Sequence, residues 1–171
     1  MSRAAEYRDP ADQWFGLTAR ARIIYASKDR VQPGEVTTYE DLASDRWKGR
    51  ICTRSGTHDY NVALTSAILA HHDAAYTEAW LKGVVSNMAR APKGGDTDQI
   101  KAVASGECGV ALSNTYYVAR LLKSTKPEDR AVMEKVRVVF PNQGTSGTHV
   151  NIAGAAVAKH AKNRDNAIQF M

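Results

Sequence analysis

Three of the seven tyrosines stand where the chain passes from strand into helix: Tyr60 in SGTHDYN, and the adjacent pair Tyr116 and Tyr117 in SNTYYVAR. A phenol keeps its proton until about pH 10, so it holds a cation at neutral pH only where something favours the phenolate. A hard trivalent ion does so, because a bound metal is often the largest local charge in its site. Oxygen donors also select against zinc and cuprous copper, and ferric iron accepts a tyrosinate in the haem of catalase. Arg120 follows the pair on the same helix face. A guanidinium there favours deprotonated phenols and offsets their charge. Ser55, Gly56 and Thr57 precede a helix, whose first N–H groups and positive dipole end suit an anion such as carbonate or phosphate.

These residues meet only if the elements beneath them are neighbours. Trp14 to Ser27 reads as a long strand, with apolar and polar residues alternating over its second half. A turn from Asp29 to Gly34 and a short helix start in TTYEDL (Thr37 to Leu42) lead to a second strand centred on Ile51 and Cys52. From Thr57 the period becomes helical, with Tyr60, Leu64, Ala67, Ile68 and His71 on one face and Ser55 or Thr57 as the cap. A further helix is expected from Asp73 to Asn87, with Ala75, Ala79 and the run Leu81 to Val85 facing a core. Asp96 or Thr97 caps a short helix that ends at Gly106.

Gly109 to Asn114 is a compact apolar run that reads as a buried parallel strand, delivering the chain into a helix at TYYVARLLKS. A helix after Pro127 leads to a short strand, Val136 to Phe140, then a loop, HVNIAGAAVAKH and a last helical stretch. Strands alternating with helices predict an α/β domain with a mainly parallel sheet flanked by helices. In such sheets ligands sit beyond the carboxyl ends of the strands, and both tyrosine-bearing junctions would lie on that edge.

The remaining composition narrows the classes. With 171 residues, 43% hydrophobic and 24% charged, the chain can build one core without help from a metal or disulfide. The net charge is +5, and its 23 Lys and Arg residues are scattered among 18 acidic ones, unlike the clustered patch of a nucleic-acid binder. No run approaches the roughly 18 apolar residues of a membrane helix, and the first residues lack the apolar stretch of a signal peptide. Cys52 and Cys108 are too few and too distant for a zinc motif, and read as buried apolar residues or as one disulfide. From spacing alone, an adjacent tyrosine pair is also an ordinary amphipathic pair, and Tyr60 is also an ordinary core residue.

RSGTHDYN and SNTYYVAR, together with GLTARARIIYASKDRV, WKGRICTR and VRVVFPNQ…GTHVNIAGAAVAKHAKN, resemble the ferric-iron-binding proteins of bacterial ABC importers, in the subgroup with a tyrosine-rich clamp in the C-terminal lobe. The resemblance covers the chain after about residue 8. It implies a periplasmic binding protein of type II, two α/β lobes joined by hinge-crossing strands. Residues 1–28 would then be an N-lobe remnant and first crossing strand, 29–140 the iron-binding lobe, and 141–171 the return crossing strand and a truncated N-lobe segment. It implies Tyr60, Tyr116 and Tyr117 as tyrosinate ligands of Fe3+, and Arg120 as the arginine beside the metal. A synergistic anion such as carbonate, citrate or phosphate would complete the shell, with Ser55, Gly56 and Thr57 the residues suited to it. The partners would be a permease and ATPase complex and the missing N-terminal lobe, with no nucleic acid, and the full-length protein would be a periplasmic monomer and no enzyme. His58, His71, His72 and His149 match no family ligand. With the tyrosines at the carboxyl ends of their strands, Cys52 and Cys108 stand near the amino ends, within disulfide reach if the strands are adjacent and about 10 Å apart if they are not. The alternative is a receptor of the same fold for an organic or anionic solute of phosphonate, thiamine or polyamine type.

Overall fold

A computed structural model describes residues 5–171. The chain divides into two compact units, one built from segments that end at Arg20 and run from Val150 to Met171, the other spanning Ala21–His149. β1 (Phe15–Ser27) begins in the smaller unit and ends in the larger; β5 (Val150–Ala155) pairs with it in the smaller, which also holds the last helix, Arg164–Phe170.

In the larger unit the strands are β1, β2 (Ile51–Cys52), β3 (Val110–Asn114) and β4 (Val136–Val139), in the order β2-β3-β1-β4. β2 runs parallel to β3, with Ile51 opposite Val110 and Cys52 opposite Ala111. β1 is antiparallel to both its neighbours, pairing Arg22 with Asn114, Ile24 with Leu112, and Tyr25 with Val138. The sheet is therefore mixed: β2, β3 and β4 share a direction, and the strand through which the chain enters runs against them.

Successive side chains of a strand point to opposite faces, and the core divides accordingly. Ile24, Ala26, Ile51, Val110 and Leu112 face Leu64, Ile68, Trp80 and Val84 of α1 (Asp59–His71) and α2 (Ala74–Ser86), along with Leu42 and Trp47. Ile23, Tyr25, Cys52 and Ala111 face Ile100 and Val103 of α3 (Asp96–Ala104), Tyr117 and Leu121 of α4 (Tyr116–Leu122), and the flank of α5 (Pro127–Lys135). Burying each such aliphatic or aromatic side chain contributes roughly 1.5–3 kcal/mol. A sheet covered on both faces explains why β3 is buried at all five positions.

Several local expectations are corrected. α1 is capped by His58, whose ring accepts from the Tyr60 N–H, not by Ser55 or Thr57. The buried face of α2 is Thr77, Trp80 and Val84, while Ala75, Ala79, Leu81 and Val85 are exposed; the large indole took the core, and Gly83 allows close approach to Ala43, whose carbonyl oxygen a Cβ would meet at 2.7 Å. Asp96 and Thr97 do not cap α3; Gly95 does, with Asp98 accepting from its N–H. β4 ends at Val139, and β5 covers only Val150–Ala155 of the longer apolar run.

Cys52 and Cys108 form a disulfide, with Cα atoms 5.8 Å apart. β2 and β3 are adjacent, and Cys108 lies just before β3, beside Cys52. No helix among the described residues is long and apolar enough to cross a membrane.

Candidate metal centre

Because β2 and β3 are parallel and adjacent, their carboxyl ends open on one edge. From β2 the chain loops through 53–58 into α1, placing Tyr60 in its first turn; from β3 it passes through Thr115 directly into α4, placing Tyr116 and Tyr117. The Tyr60 and Tyr116 hydroxyl oxygens meet at 3.2 Å, though 56 residues separate them in the chain. The rings of Tyr116 and Tyr117 lie tilted at 31° to each other with centroids 4.4 Å apart. The three are not equivalent: Tyr116 is 41% exposed, whereas Tyr117 is 9% exposed and belongs to the core cluster of α3 and α4. Burial pushes the Tyr116 phenol above its ordinary value, as does hydrogen bonding with Tyr117, while hydrogen bonds to Tyr60 and Asn114 pull it back.

Arg120 lies over the Tyr117 ring, 6.0 Å from its centroid. The loop residues Ser55, Gly56 and Thr57 are exposed. There the Ser55 hydroxyl accepts from the Thr57 N–H at 3.2 Å and meets the Thr57 hydroxyl at 2.8 Å.

Beneath the rim lies a polar layer that the residue pattern alone did not reveal. Arg22, 2% exposed, pairs with Asp96 at 2.6 Å and donates to Asn61 at 2.8 Å and Asn114 at 3.3 Å. Asp96 also accepts from the Asn114 N–H and from Arg54, at 3.1 and 3.4 Å. Asn61 in turn donates to Thr53 and to the carbonyls of Arg54 and Ser55, which fastens the 53–55 loop to the start of α1. Burial pulls the Arg22 guanidinium below its usual value, and Asp96 opposes this. One signal was present: Arg22 stands directly before the apolar stretch Ile23 to Ala26 of the same strand, and it heads the buried run that ends at Ser27, where a charge requires a partner.

Around a small hard cation held octahedrally at roughly 2.0–2.1 Å, adjacent oxygens lie about 3 Å apart. The observed 3.2 Å between the two hydroxyls fits this spacing. Among the described residues no group of three or more His, Cys, Asp or Glu could hold a metal ion.

Residues 1–171 match the family described as bacterial extracellular solute-binding protein. The chain belongs to that family. It is 49% identical over 166 residues to iron uptake protein A2 of Synechocystis, covering 96% of this chain and 48% of that one. Among solved structures it superposes on the Trichodesmium protein IdiA (FutA) in complex with iron and citrate ligands, with a TM-score of 0.92, 51% identity, and coverage of 97% and 52% of the two chains. The ferric binding protein of Campylobacter jejuni gives a TM-score of 0.91 and 43% identity, with 98% and 54% covered. The chain spans about half the length of the curated relatives it matches. The mixed α/β sheet flanked by helices is the architecture of these solute-binding proteins.

Proposed function

We propose that this solute-binding chain carries the ferric-iron-binding lobe of a receptor for an ABC iron importer. Tyr60, Tyr116 and Tyr117 act as phenolate ligands, Arg120 offsets their charge, and Ser55, Gly56 and Thr57 receive a synergistic oxyanion such as carbonate, citrate or phosphate. The observation that carries the reading is the 3.2 Å approach of the Tyr60 and Tyr116 hydroxyls across two parallel strand ends. The names of the relatives support it: one is an iron uptake protein, and another was solved with iron and citrate.

The lobe is built from residues 29–140 around the part of β1 that lies in the larger unit; the chain enters it through β1 and leaves through the segment from 141 onward, the two crossing strands. A second lobe contributes further ligands and closes on the iron, and the closed form docks on a permease and ATPase complex from the periplasmic side. The activity is binding and delivery rather than catalysis, a reading supported by the solute-binding family and by the iron uptake and ferric binding relatives.

Ferric citrate added to the chain should produce a visible phenolate-to-iron charge-transfer band. The double variant Tyr116→Phe, Tyr117→Phe should lose it. A colourless wild type, or an unchanged band in the variant, defeats the reading.

A further inference from the structure

Under the tyrosine rim a single carboxylate holds two guanidiniums. Asp96 lies 2.6 Å from Arg22 and 3.4 Å from Arg54, and its own side chain is fully buried. The guanidinium carbons of Arg22 and Arg54 stand 5.8 and 5.3 Å from the Tyr60 ring centroid, within the roughly 6 Å over which a cation interacts with an aromatic face. Two positive charges and one negative give the cluster a net positive charge. With Arg22 and Asp96 buried and Arg54 only 17% exposed, it lies largely out of solvent, where Coulomb interactions exceed those at the surface. Arg120, by contrast, addresses Tyr117 from an exposed position.

We propose that Arg22, Arg54 and Asp96 are positioning residues for Tyr60: the carboxylate sets both guanidiniums against the phenol ring, and their surplus charge tunes how strongly that phenolate donates to its metal. This rests on the ferric-phenolate reading above. The geometry behind it is redundant. Asn61, next to Tyr60, accepts from Arg22, and Asn114, two residues before Tyr116, is bonded to both Arg22 and Asp96. The same layer thus holds the backbone at both junctions.

A positive charge against a phenolate ring lowers the energy of the ring's electrons, so more light energy is needed to move one onto ferric iron. Removing the charge shifts the band to longer wavelength, and loss of the side chain that positions the ring weakens binding. The test uses the full 171-residue chain, loaded with ferric citrate, comparing Arg54→Met with Arg54→Lys. Arg54 is the better target because its side chain is partly exposed and it holds Asp96 less closely than Arg22 does. Arg54→Met should red-shift the band and lower iron affinity about 10- to 100-fold in competition with citrate. Arg54→Lys should bring the band back toward its wild-type position. If Arg54→Met does not fold, Arg54→Gln keeps a donor for Asp96 and is read in the same way. A band that stays in place in the neutral variants overturns the proposal, as does an equal shift in the Lys variant, which would make packing the cause. A wild type with no band defeats the metal reading itself, which separates the two failures.

Discussion

Tyr25 and Tyr39 are buried tyrosines of the interior; Tyr60, Tyr116 and Tyr117 gather at the edge. The Tyr25 hydroxyl donates to the carbonyl of Asn114 at 2.9 Å. That of Tyr39 donates to the carbonyl of Arg22 at 2.5 Å and accepts from the N–H of His149 at 3.1 Å. Each interior phenol spends its proton on a backbone carbonyl, and burial pushes both far above the ordinary value. At the rim, the hydroxyls of Tyr60 and Tyr116 face each other across two strand ends. The same side chain is a structural bolt where its partner is a fixed acceptor, and a candidate ligand where its partner is another phenol.

Four experiments would break or sharpen that contrast. The largest effect belongs to the interior: replacing Cys52 and Cys108 with Ala should cost about 4 kcal/mol of stability, as expected for opening a loop of 56 residues. Chemical denaturation reads that loss, and the ferric band should persist because β2 and β3 remain paired; a lost band would join the two regions. Next, Tyr116→Phe should lower iron affinity by about 100-fold or more, beyond the 10–100-fold of an outer-shell change, with the melting temperature nearly unchanged. A variant that melts early while binding normally would reverse the assignment.

Tyr39→Phe should do the opposite, costing about 2 kcal/mol by leaving the Arg22 carbonyl and the His149 N–H without their partner. Its iron titration should match wild type. The smallest effect is alkaline. Tyr25 and Tyr39 have folded-state values raised above the ordinary 10.0, so their contribution is complete below pH 10 and drains away as pH rises past it. Stability measured from pH 9 to 11.5 should fall, and less steeply in Tyr39→Phe; parallel slopes would show that Tyr39 is not the group responsible.

Much of the fold was legible in the chain. β1, α1 and β3 follow from alternation, helical period and an apolar run, because each element's periodicity is set by its own residues. The rim was legible too: two strand-to-helix junctions bearing tyrosines require only that the strands be neighbours and parallel, which β2 and β3 are. The polar layer was not. Asp96 looks like a helix cap in a local reading, and only the approach of Arg22, 74 residues earlier, makes it a buried ion-pair partner.

By itself the sequence determined the order of elements, the positions of the three tyrosines and the kinship they imply, since these depend on residue type and short-range spacing. The tertiary structure decided which arginines address Tyr60, whether the two cysteines pair and which way β1 runs. The cysteine pairing depends on β2 lying parallel beside β3, and the placing of Arg22 on the antiparallel register that sets it opposite Asn114. Local periodicity is blind to a pairing across 92 residues, and a single-residue slip would turn Arg22 to the other face of the sheet.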